Sequence, residues 1–512
     1  MDLPPLSLFS PLILLAVAAL AIVRPGRRPA HLPRLAEGAA LAALAVGAAG
    51  LVQLLISGPV TLPGLVRLDA VSATMVVLVS FVGWVVVRYT RSYLDGEARE
   101  GAFHGLLLAA LAAVTLQVQA ANLAVLAAGF VATGLAIRQL LLFYPDRAEA
   151  RRAAAKFTLV WGAGDVALIL AAALLWQAFG TIDIAALTAA AGAGLPLAAK
   201  IAVALLVIAA ALKTAAFPLH GWLTEVMEAP TPVSALLHAG IINGGGLLLI
   251  RLAEVVQASP GAMALLVMLG GFTAIFGAAV MLTQSAVKTA LAWSTVAQMG
   301  FMLLQCGLGL WALAMLHIVA HSLYKAHAFL ASGGAVQAVL SVRRPGPVAA
   351  PGLAAVARSF ALALVLYAVV ATGFGLIAGP KSAQALALGA ILIFGVAYLV
   401  AQGLADAAPR ALTLLTARAS LAAAVAYFGF HVLSGLLWGT HLPAPPAPGP
   451  LEWGLIVLAL ASFGLVAVAQ ALFPLWAHHP STAGLRVHLA NGLYLNAVLD
   501  RLIGGLKTAK SN

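Results

Sequence analysis

Three titratable side chains follow one another at four-residue intervals inside an apolar segment. They are His317, His321 and Lys325 in MLHIVAHSLYKAHAF. Residues four apart lie on the same face of an α-helix, so the spacing predicts a row of ionisable groups. An imidazole accepts and donates protons near neutral pH, and a lysine removed from water loses its proton more easily. The row therefore predicts a proton relay. The alternative is a buried polar stripe that hydrogen-bonds neighbouring helices.

Two further lysines lie beside helix breakers in apolar surroundings. Lys213 precedes Pro218 by five residues, and Lys381 directly follows Gly379-Pro380. Proline removes a backbone donor, and broken helices at matching positions of two internal repeats mark ion sites in transporters. Either lysine alone could instead extend its ammonium to the membrane interface. The predicted cation path comprises Lys213, His238, His317, His321, Lys325 and Lys381.

Four other residues are secondary candidates for the path or for an interface. For Asp165, in WGAGDVALIL, a structural salt bridge and a functional role are equally good readings. His220, Glu225 and Glu228 lie in the segment HGWLTEVMEAPTPVSALLHAG and predict an interface, a proton mouth or a solvated surface.

No cofactor or metal is predicted, and the chain is not expected to be an enzyme. The spacing of His317 and His321 suits two zinc ligands, but the glutamate of an HExxH motif does not follow His317. The sequence contains one cysteine and carries no haem, flavin, nucleotide or iron–sulfur signature.

Composition places these residues in a membrane. The chain has 512 residues, of which 63% are hydrophobic and 9% charged, and its mean hydropathy is +1.05. Soluble domains carry about 25% charged residues. We predict an all-α polytopic membrane protein with about fifteen transmembrane helices. They are expected near 6–23, 36–57, 70–88, 102–120, 122–143, 157–179, 199–217, 231–250, 262–283, 288–308, 311–339, 355–378, 384–405, 411–437 and 451–473.

Basic residues mark alternate loops. Clusters such as Arg147/Arg151/Arg152 and Arg343/Arg344 follow odd-numbered spans. The positive-inside rule then predicts a periplasmic N-terminus and a cytoplasmic C-terminus in a bacterial inner membrane. This rule also explains the net charge of +12 without nucleic acid. The expected divisions are N-terminal helices at 1–101, a first repeat at 102–255, a second repeat at 256–410, and C-terminal helices with a cytoplasmic tail at 411–512.

Several of these segments resemble the antiporter-like subunits of respiratory complex I and of Mrp antiporters. The resemblance rests on KTAAFPLHGWL from Lys213, APTPVSALLH ending at His238, KTALAWSTVAQMG from Lys288, and the row from His317 to Lys325. It covers roughly residues 100–410. It implies two inverted five-helix repeats with broken helices, in which Lys213 and Lys381 are the broken-helix lysines.

The chain departs from the complex I subunits in one respect. Val131 stands where the resemblance places a fifth-span glutamate that pairs with the first broken-helix lysine, and Ser382 follows Lys381 without an acidic neighbour. We therefore expect Lys213 to lack a carboxylate partner.

Within this superfamily the sequence looks most like the DabB family of inorganic-carbon transporter subunits. The features are the compact length, the 220–240 segment and the tail HLANGLYLNAVLDRLIGG. The resemblance implies a membrane subunit that passes H⁺ or Na⁺ down the proton-motive force. A DabA-like zinc-binding partner of carbonic anhydrase type on the cytoplasmic face would then convert CO₂ to bicarbonate. The alternatives are a proton-pumping subunit of complex I or of a membrane-bound hydrogenase, and a Mrp-type Na⁺/H⁺ antiporter subunit.

Overall fold

The computed structural model describes residues 4–225, 229–334, 352–403, 410–476 and 479–503. Eleven helices in these ranges are long and apolar enough to cross a membrane, which confirms the prediction of a multi-pass all-α membrane protein. The four other predicted crossings coincide with shorter or more polar helices, and the count of fifteen stays a prediction.

The first half of the chain supplies six long helices followed by a series of short ones. The long helices are α1 (Phe9–Val23), α2 (Leu32–Ser57), α3 (Ala70–Tyr93), α4 (Glu100–Val118), α5 (Leu123–Leu141) and α6 (Ala148–Phe179). After these come α7 (Ile184–Ala191), α8 (Leu197–Lys213), α9 (Gly221–Thr224), α10 (Thr231–Ala239), α11 (Gly244–Arg251) and α12 (Ala253–Gln257).

The second half supplies seven long helices and a tail of short ones. The long helices are α13 (Pro260–Met281), α14 (Val287–Gly307), α15 (Trp311–Leu330), α16 (Leu353–Ala378), α17 (Ala383–Gly403), α18 (Arg410–Trp438) and α19 (Pro450–Ala471). The tail helices are α20 (Phe473–Trp476), α21 (Ala483–Ala490) and α22 (Leu495–Leu502).

A small hairpin covers one end of the bundle, which we call the hairpin end. Strands β1 (Val60–Leu62) and β2 (Val66–Leu68) pair antiparallel, and the turn between them contains Gly64 in the left-handed region. The amide of Asn122 donates to the carbonyl of Gly64 at 2.8 Å, which ties the turn to the start of α5. The helices α20–α22 lie at the opposite end, which we call the tail end. There Gln284 donates to the carbonyl of Ala490.

Close helix packing in the interior depends on glycine. A methyl group on Gly270 would lie 2.4 Å from the backbone nitrogen of Leu304, and one on Gly300 would lie 2.4 Å from the nitrogen of Ala274. Helices α13 and α14 therefore approach backbone to backbone, as small residues allow in membranes. Buried apolar side chains form one large core, with a second, smaller core between α13–α15 and α16–α19.

Candidate functional site

The first broken helix places Lys213 in the bundle interior. Helix α8 ends at Lys213, and the chain is not helical again until α9. Two hydrogen bonds satisfy groups at the break. The hydroxyl of Thr214 donates to the carbonyl of Ala210 at 2.8 Å, and the amide of Phe217 donates to the hydroxyl of Thr273 at 3.2 Å. Freed backbone groups at membrane depth require such partners, so the break is built into the packing.

Lys213 has a carboxylate partner, contrary to the expectation drawn from Val131. Its Nζ lies 2.5 Å from Oδ1 of Asp165 on α6. The rings of Phe130 and Trp161 flank the ammonium, with centroids 4.4 and 4.2 Å from Nζ. The lysine side chain is wholly buried, and a paired charge at this depth is far less costly than an isolated one. The pair can hold one proton between two groups, the chemistry that a proton path needs.

The sixth helix supplies this partner because a glycine lets it approach. A methyl group on Gly164 would lie 3.3 Å from Cγ of Lys213, so the small residue beside Asp165 leaves room for the lysine stem. Val131 instead lines an open apolar groove with Ile169 and Trp176, whose side chains are half exposed on the outer surface of the bundle. The missing fifth-span glutamate therefore does not leave Lys213 unpaired.

A second break interrupts the eighth span, and the sequence analysis did not anticipate it. A single 3-10 turn, Ile241–Asn243, separates α10 from α11. The amide of Asn243 donates to the carbonyl of Ala239 at 3.0 Å and to the hydroxyl of Ser322 on α15 at 2.9 Å. The GIINGGG sequence carried the signal, since glycines and an asparagine inside an apolar run weaken a continuous helix.

His238 and Lys325 occupy the buried region where α10, α14 and α15 meet. Nδ1 of His238 lies 3.1 Å from the hydroxyl of Thr295, and its ring stacks on Phe329 with centroids 4.2 Å apart. Lys325 is wholly buried and donates to the hydroxyl of Ser294 and, at 3.1 Å, to the carbonyl of Leu291. No carboxylate pairs with Lys325 in the described part of the chain. Its charge is therefore solvated by these hydrogen-bonding dipoles and not by an anion among the described residues.

The two histidines of the predicted row continue from Lys325 along α15. Nδ1 of His317 lies 2.8 Å from Oε1 of Gln305 on α14, and its ring centroid is 5.9 Å from that of His321. Both ring nitrogens of His321 are buried and have no hydrogen-bond partner among the described residues. Both histidines also line an apolar cavity of about 510 Å³ that extends to α17 and α18. The row thus lies on one side of α15 with ring nitrogens available for proton exchange.

Lys381 lies apart from these residues. It occupies the short connection between α16 and α17 at the hairpin end, after Gly379 in the left-handed region. With His431 it lines a separate cavity of about 270 Å³. The structure therefore places Lys381 between two helices instead of inside a broken one.

Glu225, one of the secondary candidates, belongs to an ion cluster at the tail end that the sequence did not predict. Lys156 at the start of α6 is wholly buried and donates to Glu225, to Asp500 at 2.7 Å and to the side-chain oxygen of Asn496 at 2.9 Å. Arg152 adds contacts to the two carboxylates at 3.6 and 3.8 Å. Helix α22 is thereby bonded to the segment that follows the Lys213 break.

His220 and Glu228 fare differently. His220 is buried among Phe217, Phe276 and Trp293, and its Nδ1 has no hydrogen-bond partner among the described residues. It lies inside the protein near the tail end and not on a docking surface. Glu228 lies outside the described residues.

A further ion pair secures the hairpin end. Asp69 caps α3 by accepting from the amide of Ser72 at 2.9 Å, and it accepts from Arg251 at 2.6 Å. Burial raises the pKa of Asp69, but the guanidinium of Arg251, the Ser72 hydrogen bond and the charge of Arg67 outweigh it and hold the pKa below its usual value. The pair joins α3 to the end of α11.

The sequence of this chain matches a known family of membrane subunits. The sequence model described as NADH:quinone oxidoreductase/Mrp antiporter, TM, matches residues 120–416, and one described as complex I chain 5 N-terminus matches residues 55–104. The chain therefore belongs to the antiporter-like membrane subunits of this family.

Among individual relatives, the chain is similar to inorganic-carbon transporter subunits. The probable subunit DabB2 of Halothiobacillus neapolitanus is 36% identical over 85% of this chain and 79% of its own length. The probable subunit DabB of Hydrogenovibrio crunogenus is 41% identical over 56% of this chain and 55% of its own length. Subunit L of the NADH-quinone oxidoreductase of Mycobacterium tuberculosis is 31% identical over 84% of this chain and 68% of its own length.

Two solved assemblies share the fold. The Mrp complex from Dietzia sp. contains a chain that matches with a TM-score of 0.59 at 21% identity, over 98% of this chain and 60% of that one. Respiratory complex I from Thermus thermophilus contains a chain that matches with a TM-score of 0.55 at 21% identity, over 96% of this chain and 99% of that one.

Proposed function

We propose that this chain is the cation-conducting membrane subunit of an inorganic-carbon accumulation system. In this proposal it passes protons, or sodium ions, down their gradient towards the tail end. The observation that carries the proposal is the buried pair of Lys213 and Asp165, with the Lys325 row also at membrane depth. Ionisable groups at this depth are costly and by default serve transport. The similarity to DabB subunits supplies the carbon substrate.

The residues have distinct roles in this proposal. Lys213 and Asp165 exchange a proton as a pair, because each stabilises the charged form of the other. Three histidines pass protons to and from Lys325 through their ring nitrogens. A ring nitrogen of His238 is hydrogen-bonded to a hydroxyl, one of His317 is hydrogen-bonded to an amide oxygen, and those of His321 have no partner among the described residues. The broken helices bring these groups together while keeping backbone groups satisfied.

The chemistry of carbon belongs to a separate partner in this proposal. We place a DabA-like zinc-binding subunit of carbonic anhydrase type on the tail end, which the positive-inside rule assigns to the cytoplasm. A gradient supplies about 2.3 kcal/mol per charge for each 100 mV of potential, which would make hydration of CO₂ to bicarbonate effectively one-way. The cluster of Lys156, Glu225 and Asp500 lies at the tail end. A partner bound there would therefore adjoin the segment that follows the helix break at Lys213.

The test is uptake of labelled inorganic carbon by cells that carry this chain and its partner, with and without a protonophore. We expect uptake to collapse with the gradient. We also expect Lys213→Ala to abolish uptake and Lys200→Ala to retain it, since Lys200 is an exposed lysine on the same helix. Uptake that persists undiminished without a gradient would disprove the coupling.

The alternative function is redox-linked or antiporter-type pumping, which is supported by the similarity to subunit L. The co-purifying partner distinguishes the two. A zinc protein of carbonic anhydrase type supports carbon accumulation, whereas a quinone-reducing or hydrogenase module supports pumping.

A further inference from the structure

We infer that the cavity around Lys381 binds a small monovalent oxyanion. The choice of bicarbonate as that ion rests on the proposed function, whereas the anion site itself rests on the structure of the cavity.

The cavity lies at the hairpin end, away from the buried row on α15. It has a volume of about 270 Å³, and it lies between the ends of α15 and α18, the connection that carries Lys381, and the proline-rich segment 443–445. A water molecule takes up about 30 Å³ of liquid, so the cavity is large enough for a small hydrated ion. Its walls are held in place because Gln257 donates to the carbonyl of Ala444 and Gln384 donates to that of Pro446.

No carboxylate among the described lining residues balances the charge in this cavity. Lys381 is the one charged residue in the lining, and neither an ion pair nor a hydrogen bond ties its ammonium to the described residues. The carboxylate of Glu452 lines a neighbouring cavity, where it accepts from the amide of Gly449 at the start of α19. A cation in a partly desolvated pocket is stabilised by an anion, and none of the described residues in the lining supplies one.

Two other polar side chains in the lining can donate to an anion, His431 in the tautomer that carries its proton on Nδ1 and Ser382 through its hydroxyl. The hydroxyl of Ser434, which also lines the cavity, already donates to the carbonyl of His431. Nδ1 of His431 is buried and has no hydrogen-bond partner among the described residues. The hydroxyl oxygen of Ser382 accepts from the amide of Ala385, which leaves its proton free to donate. Ser382 also precedes the first turn of α17, where the helix dipole favours negative charge. An ammonium, an imidazole and a hydroxyl around one cavity suit an ion with several oxygens better than a halide.

A binding measurement on the purified chain tests this inference without transport or the partner. The chain is prepared in a neutral detergent free of anionic lipid and titrated into ¹³C-bicarbonate, and the line width of the bicarbonate resonance is followed by NMR. We expect saturable broadening that nitrate reverses and that an equal concentration of chloride leaves in place.

Matched variants separate the cavity from general effects of charge. Lys381→Met should weaken binding about tenfold or more, the loss expected for one charge-assisted hydrogen bond. Lys381→Arg should retain most of the binding because it keeps the charge and the donors. Lys200→Met removes a lysine that is exposed elsewhere and should bind as the unaltered chain does.

Three results would overturn the inference. They are broadening that does not saturate, equal affinity in Lys381→Met, and displacement of the bound ion by phosphatidylglycerol, which would assign the cavity to a lipid phosphate. None of them bears on the protonophore test, because uptake that depends on the gradient needs no anion at this position.

Discussion

Lys213 and Lys381 are matched by the resemblance to related subunits, but their surroundings differ. Lys213 is wholly buried, paired with Asp165 at 2.5 Å and flanked by two aromatic rings. Lys381 is partly exposed in a cavity whose lining contains no carboxylate. The protein therefore balances the first charge itself, whereas no described residue in the cavity lining balances the second. Equivalent positions in a sequence do not imply equivalent electrostatics.

The largest effect is expected when the carboxylate that pairs with Lys213 is removed. Asp165→Asn should destabilise the protein by about 3–5 kcal/mol and abolish cation flux, because it leaves the Lys213 charge buried without a partner. Flux is measured in proteoliposomes with a pH-sensitive dye, and stability by thermal unfolding in detergent. The double variant Asp165→Leu with Lys213→Met is the control. It should regain stability but not flux, and a double variant as unstable as the single one would contradict the pairing.

A lysine balanced only by dipoles gives an intermediate case. Lys325→Ala should abolish flux while costing about 1–3 kcal/mol, since it removes hydrogen bonds to Ser294 and Leu291 and no carboxylate is stranded. Lys200→Ala serves as the matched control in the same liposome assay. Full flux through Lys325→Ala would remove this residue from the path, and failure of the variant to insert would favour a packing role.

The pair at the hairpin end shows whether pairing matters outside the path. Asp69→Asn keeps the helix cap but loses the ion pair with Arg251, and it should cost about 1–3 kcal/mol at pH 7 with flux retained. Because the folded-state pKa of Asp69 is lowered, this stability is present above the unfolded value near 3.8 and is lost as the pH falls through the folded value. The difference in unfolding temperature between the two proteins should therefore shrink below about pH 4. A difference that stays constant down to pH 3 would argue against the ion pair.

The smallest effect on stability is expected for substitution of Lys381. Lys381→Met should change stability by less than about 1 kcal/mol, because no ion pair is broken and the side chain is partly exposed. The same substitution at Lys213 strands Asp165 and should cost several times more. Thermal unfolding of both variants in one buffer measures the contrast, and equal losses would remove the distinction between the two lysines.

The sequence predicted the parts of this site that depend on a single helix. The four-residue spacing from His317 to Lys325 was sufficient to place these residues on one side of α15, because helical periodicity is local. Partners from other helices were not predictable in the same way. Asp165 and Lys213 are 48 positions apart, and their contact depends on the approach of α6 to α8 at Gly164. The resemblance pointed to Val131 instead, which lies on the outer surface of the bundle.

The tail-end cluster was harder still to foresee. Lys156 and Asn496 are separated by 340 positions, and Lys156 lies in no repeating pattern or recognisable motif. The tail segment that contains Asn496 carried a family resemblance but no indication of a contact with α6. A lysine in the early part of an apolar helix indicates only a snorkelling side chain. The burial that makes it part of a cluster comes from α22, whose position no local rule determines.

The bond between Lys156 and Asp500 has a consequence for biogenesis. The cluster contains two cations and two anions, and one of the anions, Asp500, is made hundreds of residues after the two cations. During translation Lys156 and Arg152 enter the membrane region hundreds of residues before Asp500 leaves the ribosome. The segment that follows the first broken helix can thus complete its ion pairs only after α22 has packed against it. Until that late contact forms, Lys156 and Arg152 lack one of their two carboxylate partners.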